Sequence, residues 1–148
     1  MKNEVQFGIQ EFILGGISEF TILQEAFGGK RAVEAKYKVK KSYNNPNMYF
    51  VYTQETSRGD MMYHGYIIKN NQGFKCFRAK TIKFASEYYN ESAMTALNWV
   101  LAHAGRLPAV VHVLHHGRCS RCGRKLTDSE SLRCGLGPEC RKKMGLNW

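Results

Sequence analysis

The sequence predicts an α+β fold: an antiparallel β-sheet meander with one main packed α-helix, plus a small C-terminal zinc-knuckle module. Three observations predict it. Residues 32–40 alternate with period two, so that Val33, Ala35, Tyr37 and Val39 share one face while Glu34, Lys36, Lys38 and Lys40 share the other. Met94, Leu97, Leu101 and Ala104 recur at helical spacing, and Ala93, Ala96 and Val100 widen the stripe. Four of the five cysteines, Cys119, Cys122, Cys134 and Cys140, fall close together near the C-terminus. The expected organisation is a sheet-plus-helix domain over residues 1–114 and a basic zinc-binding module over residues 115–148.

The first 16 residues are ambiguous between a strand and a short helix over FGIQEFIL, which Gly15 and Gly16 end. Residues 17–24 are rich in Ile, Phe and Thr and read as a strand, with a turn at Gly28 and Gly29. The alternating strand 32–40 follows, then the turn-forming loop SYNNPN. MYFVYTQ (48–54) and MMYHGYIIK (61–69) read as the next two strands, joined at SRGD. NNQG predicts a hairpin turn on residues that accept positive φ, leading into FKCFRAK (74–80). Cys76 in that strand reads as a half-buried thiol. Asn90 or Ser92 is positioned to cap the helix, which Gly105 and Pro108 close. AVVHVL (109–114) is an apolar strand that either joins the sheet or braces the metal site.

The chain carries 22 Lys and Arg against 12 Asp and Glu, a net charge of +10 with a pI of about 9.5. Residues 117–148 hold eight of those basic residues and three of the acids, so a fifth of the chain carries half of the surplus. Such density points to a polyanionic partner, either nucleic acid or an acidic protein surface. The N-terminus lacks the unbroken apolar run of a signal peptide, and no stretch reaches the ~18 to 20 apolar residues of a membrane helix. A cytoplasmic location and no membrane partner are expected. In that reducing setting the clustered cysteines read as metal ligands rather than disulfides.

Cys119 and Cys122 form a C-x-x-C followed by Gly123, a turn that aims two thiolates at one ion, and soft thiolates in a tetrahedral set favour Zn2+. Cys140 follows Gly137-Pro138-Glu139, near a helix N-terminus whose partial positive charge favours a thiolate. By counting, the fourth ligand is Cys134, with His115 or His116 as the rival. Thr127 to Glu130 fits a capping box, so a short helix is expected over residues 128–134.

The run GRCSRCGRKLTDSESLRCGLGPEC resembles a small C-terminal module of uncharacterised phage and prophage proteins. The resemblance rests on Gly117-Arg118-Cys119, Cys122-Gly123-Arg124, Leu126-Thr127, Ser131 and Gly135-Leu136-Gly137-Pro138 up to Cys140. It departs at His116, where an acid is common, and at Ser129, where a proline is common. The resemblance implies a viral or mobile-element origin and a zinc-binding tail, and no established activity. It also implies His115 as a recurring ligand, which leaves His115 and Cys134 both open as the fourth.

No H-E-x-x-H, Walker loop, G-x-S-x-G or H-x-E with P-C-x-x-C is present, and the acids near the cysteines, Asp128, Glu130 and Glu139, are few. His103 and His112 read as structural. A structural metal and no enzymatic activity are expected. The expected function is nucleic-acid binding, with Arg118, Arg121, Arg124, Lys125, Arg133, Arg141, Lys142 and Lys143 contacting phosphates around the knuckle. The alternative is an inhibitor that docks its basic tail on an acidic host protein, such as a defence nuclease or polymerase. A third reading has the zinc as a staple and the sheet mediating self-association. Tyr43, Tyr49, Tyr52, Tyr63, Tyr66, Phe74 and Phe77 form a further pool of aromatics from which an open sheet face would draw.

Overall fold

The computed structural model describes residues 3–54, 61–79 and 90–148. The expected turn at Ser57–Asp60 and the last residue of the 74–80 strand lie outside them. The described chain runs β1 (Asn3–Glu4), α1 (Ile9–Ile13), β2 (Ile17–Gln24), β3 (Val33–Lys41), β4 (Met48–Gln54), β5 (Met61–Asn70), β6 (Gly73–Arg78), α2 (Glu91–Ala102), β7 (Val111–His115), α3 (Ser129–Cys134) and α4 (Pro138–Lys143). The strands form one seven-stranded sheet in the order β1-β7-β2-β3-β4-β5-β6, every pairing antiparallel.

The expected meander is β2 to β6. The apolar strand after the helix joins the sheet, as one of its two expected placements: β7 inserts between β2 and β1, with Ile22 opposite Val113 and Phe20 opposite His115. The expectation of one main helix fits only loosely. The protein is chiefly antiparallel sheet with several short helices, and α1 also packs into the core through Ile9, Phe12 and Ile13.

One face of the sheet is apolar. Phe20 and Ile22 of β2, Tyr37 and Val39 of β3, Val51 of β4, Ile67 of β5 and Val113 of β7 are buried there together with Met94, Leu97, Val100 and Leu101 of α2. Polar ties fix the helix on the sheet, among them Asn90 Nδ2 donating to the Gln54 carbonyl at 3.2 Å. Tyr37 Oη donates to the Ala93 carbonyl at 2.6 Å, and the Cys76 amide donates to Asn98 Oδ1 at 3.0 Å. Asn90 caps α2, its Oδ1 accepting from the Ala93 amide at 3.0 Å. His103 closes it, its Nδ1 donating to the Trp99 carbonyl at 2.8 Å while its ring stacks on Trp99. That histidine ends the helix just ahead of the expected Gly105.

The turns work as their chemistry requires, with one difference. Among the described residues only glycines have positive φ, so the β5–β6 turn does not place an asparagine there. Instead Asn70 Oδ1 accepts from the Gln72 amide at 2.8 Å, and Gly73 takes the positive φ. At Gly28 and Gly29 both φ values are positive, which matches the twist of the flanking strands.

Candidate metal centre

Residues 117–126 form a tight hairpin with the C-x-x-C at its tip. The Leu126 amide donates to the Gly117 carbonyl at 2.7 Å, the Cys119 amide to Arg124 at 2.8 Å and the Gly123 amide to Cys119 at 2.9 Å. Gly123 has φ +80°, the left-handed value that lets the chain turn back directly after the second cysteine. From there Asp128 starts α3, its carboxylate accepting from the Ser131 amide at 3.0 Å. The cap is thus Asp128 and not the first residue of the expected box, Thr127. Gly137 precedes α4, with Pro138 in its first turn and Cys140 facing inward.

These elements bring Cys119, Cys122 and Cys140 together, their sulfurs all within 4.8 Å of one another, a group that could hold a metal ion. Cys119 and Cys140 are buried and Cys122 is exposed. Burial alone pushes the Cys119 thiol up, but the N–H groups of Gly137, Cys122 and Arg121 outweigh it and hold the group below the usual thiol value. The Gly137 amide lies 3.3 Å from this sulfur. Cys140 is pushed up by burial and by the neighbouring Cys122 and Cys119, against the pull of the Arg121 guanidinium. Three thiols this close repel one another as thiolates, and a cation relieves that repulsion.

The other candidates, His115, His116 and Cys134, lie outside this group. His115 is fully buried on the inner side of β7, with Nε2 donating to the Leu132 carbonyl at 2.7 Å and Nδ1 accepting from the Gly117 amide at 3.0 Å. Burial lowers its pKa, against the opposing Leu132 bond, which suits the neutral ring that this pair of bonds requires. Both nitrogens are therefore engaged in tying β7 to the module. Cys134, in the last turn of α3, points into the module's own apolar cluster with Leu126 and Leu136, its sulfur 3.5 Å from the Leu136 carbonyl.

The eight expected basic contacts do not behave alike. Arg118, Arg121, Arg124, Lys125, Lys142 and Lys143 are exposed, although Arg118 Nη1 donates to the Gly123 carbonyl at 3.2 Å and Arg121 Nη1 lies 3.9 Å from Cys140 Sγ. Arg133 is exposed but already engaged, with Glu130 at 3.2 Å, Gln6 at 3.2 Å and the Phe7 ring beneath its guanidinium. Arg141 is buried, its Nη1 3.8 Å from Cys134 Sγ, because it lies on the inner side of α4 next to Cys140. It is an internal brace and not a surface contact.

The module is locked to the sheet. Ser120, unremarked in the sequence, joins them by backbone alone: its carbonyl accepts from Ile17 at 2.8 Å and its amide donates to Gly135 at 3.0 Å. Close approaches at two glycines make this possible. A Cβ on Gly15 would lie 2.2 Å from Ser120 Oγ, and one on Gly135 would lie 2.1 Å from the Phe12 ring. At the same junction Ile17, Glu19, Lys38, Lys40, His116, Arg118, Cys119 and Gly123 line a cavity of about 270 Å³. No described helix is long and apolar enough to cross a membrane. Neither a curated protein nor a solved structure matches the chain. Residues 109–145, which span β7 and all three clustered cysteines, match the sequence model of a family of unknown function, DUF6011.

Proposed function

We propose that the protein is a small zinc-binding protein that binds nucleic acid through its C-terminal module, with the zinc structural rather than catalytic. The observation that carries this reading is the placement of Arg118, Arg121, Arg124 and Lys125 as exposed residues on the hairpin that holds the cysteines, with Lys142 and Lys143 exposed at the end of α4. Ordering the cysteines thereby orders the charges. Zinc is the ion of choice for a soft thiolate set, and tetrahedral bonds of ~2.3 Å put sulfurs about 3.8 Å apart, compatible with this group. The resemblance of residues 117–140 to phage modules supports a mobile-element setting inside a host cell.

A salt titration of binding to single- and double-stranded DNA and RNA tests the reading, run with the metal bound and after chelation. The expected result is binding at or below micromolar near ~0.15 M salt, lost on chelation. Replacing Arg118, Arg121 and Arg124 together by Glu abolishes it, and each single Ala variant lowers the salt slope by about one. Binding that vanishes by ~0.15 M salt, or that ignores these arginines, overturns the reading and directs the search to an acidic host protein as partner.

A further inference from the structure

The sheet has a second face, and α1 and α2 bury their apolar residues on the first one only, within a single core cluster. Register places five aromatics of three adjacent strands on the second face. Lys40 of β3 stands opposite Phe50 of β4, Phe50 opposite Tyr66 of β5, and Tyr66 opposite Phe77 of β6. One row over, Lys38 stands opposite Tyr52, and Tyr52 opposite Tyr63. The rings touch: Tyr66 stacks on Phe77 at 5.5 Å between centroids, and Tyr63 lies 5.8 Å from both Phe50 and Tyr52. None of the five is fully buried, and Phe77 is 38% exposed with Lys75 Nζ over its ring at 5.6 Å.

Beside this patch runs a line of cations. Lys36, Lys38 and Lys40 alternate along β3 on the same face. Lys38 and Lys40 also line the cavity of about 270 Å³ that continues to His116 and Arg118 of the module. Half-exposed rings flanked by a cationic row have a specific complement. Bases have π-faces that stack on aromatics, and the phosphates that link them require positive charge alongside. A duplex hides its base faces, so it cannot use the rings.

We propose that this sheet face is a platform for single-stranded nucleic acid, with bases on Phe50, Tyr52, Tyr63, Tyr66 and Phe77 and the phosphate backbone along Lys36, Lys38 and Lys40, towards Arg118. The rings and the β3 lysines are distinct from Arg121 and Arg124 of the module, so the platform stands whether or not those bind duplex. Two acids border the track, Glu34 at the start of the β3 row and Glu19 on β2. Glu19 pairs with Lys38 at 3.6 Å, and both partners are well exposed, so the pair opens at little cost.

The test is equilibrium binding of fluorescent oligo(dT) and oligo(U), beside a duplex of equal length, to the metal-loaded full chain. Tyr66→Ala and Phe77→Ala are expected to weaken single-strand binding about tenfold each and leave duplex binding unchanged. Tyr66→Phe, which keeps the ring, retains it. Glu19→Gln is expected to tighten single-strand binding about two- to fivefold, a gain that misfolding does not produce. In Phe77→Trp, added oligonucleotide quenches the new indole, while Trp99 and Trp148 lie on other parts of the surface. Single-strand binding that ignores the aromatic variants, or equal losses on duplex and single strand, overturns the proposal. Loss of duplex binding in Arg124→Glu, which lies off the lysine track, bears on the module alone, so the two readings fail separately. Which homopolymer binds more tightly separates DNA from RNA.

Discussion

His115 is a histidine fully engaged in architecture. Its two ring bonds hold the Leu132 carbonyl and the Gly117 amide, and its ring lies 5.6 Å from Phe12. His115→Ala is therefore expected to keep the metal-to-protein ratio while costing ~2 to 4 kcal/mol of stability, since it opens a cavity and strands two buried polar groups. Metal analysis beside denaturant unfolding checks both halves. Cys134→Ser is likewise expected to keep the metal, and Cys122→Ser to lose it. At Gly135 the φ of +73° and the adjacent Phe12 ring leave no room for a side chain, so Gly135→Ala is expected to cost ~2 to 4 kcal/mol in the same assay. His112 offers a pH reading. Hydrogen bonds that the ring donates to Glu25 and Glu4 raise its pKa, against a smaller opposing effect of burial. A raised folded value means that its contribution is complete below the unfolded pKa of about 6.5 and lost as pH climbs through the folded value. Because Glu4 belongs to β1, exchange of the Val5 amide, bonded to Val113 at 2.8 Å, is expected to become less protected over that rise. In His112→Gln the pH dependence disappears.

At the level of elements, α2 depends on its cap, and Asn90→Ala is expected to cost about 1 kcal/mol because the Ala93 amide and the Gln54 carbonyl both lose a partner. Most elements were legible in the sequence because each is local. The alternation of β3, the turn residues around it and the apolar stripe of α2 all express a period of two or of 3.6. The short α1 was not, since five residues carry too little of either period, and its helical form depends on Phe12 packing on Phe20. The metal centre was half legible. Cys119, Cys122 and Cys140 sit at turn and helix-start positions that sequence chemistry marks. The fates of Cys134 and His115 depend on where α3 and β7 point, which only packing decides. Arg141 follows the same rule: charge suggests the surface, and its position on α4 turns it inward towards Cys134.

At the scale of the whole molecule two basic surfaces border one cavity. One is the hairpin of the module, the other the lysine row of β3, and the cavity lined by Lys38, Lys40 and Arg118 lies between them. The lysine row was visible as alternation, but its neighbours were not. Five aromatics from three strands share a face with it only through the registers of β3 to β6. The expected pool of aromatics lacks Phe50; of its members, Tyr49 and Phe74 instead pair at 6.5 Å towards the core, and Tyr43 lies fully exposed in a loop.

The position of β7 has a consequence for how the chain acquires this shape. β2 is made early, yet among the described strands one of its two neighbours is β7, and β1 pairs with β7 as well. While the chain emerges from the ribosome, β2 to β6 can zip up hairpin by hairpin, but the open edge of β2 must wait for residue 115. An exposed strand edge is a template for pairing with other chains. The nascent protein thus passes through a stage at which it is prone to self-association, and the arrival of the cysteine segment ends it. Ribosome-bound chains from which α2 but not β7 has emerged should recruit holdase chaperones, and chains tethered by an added linker long enough to expose residue 148 should not.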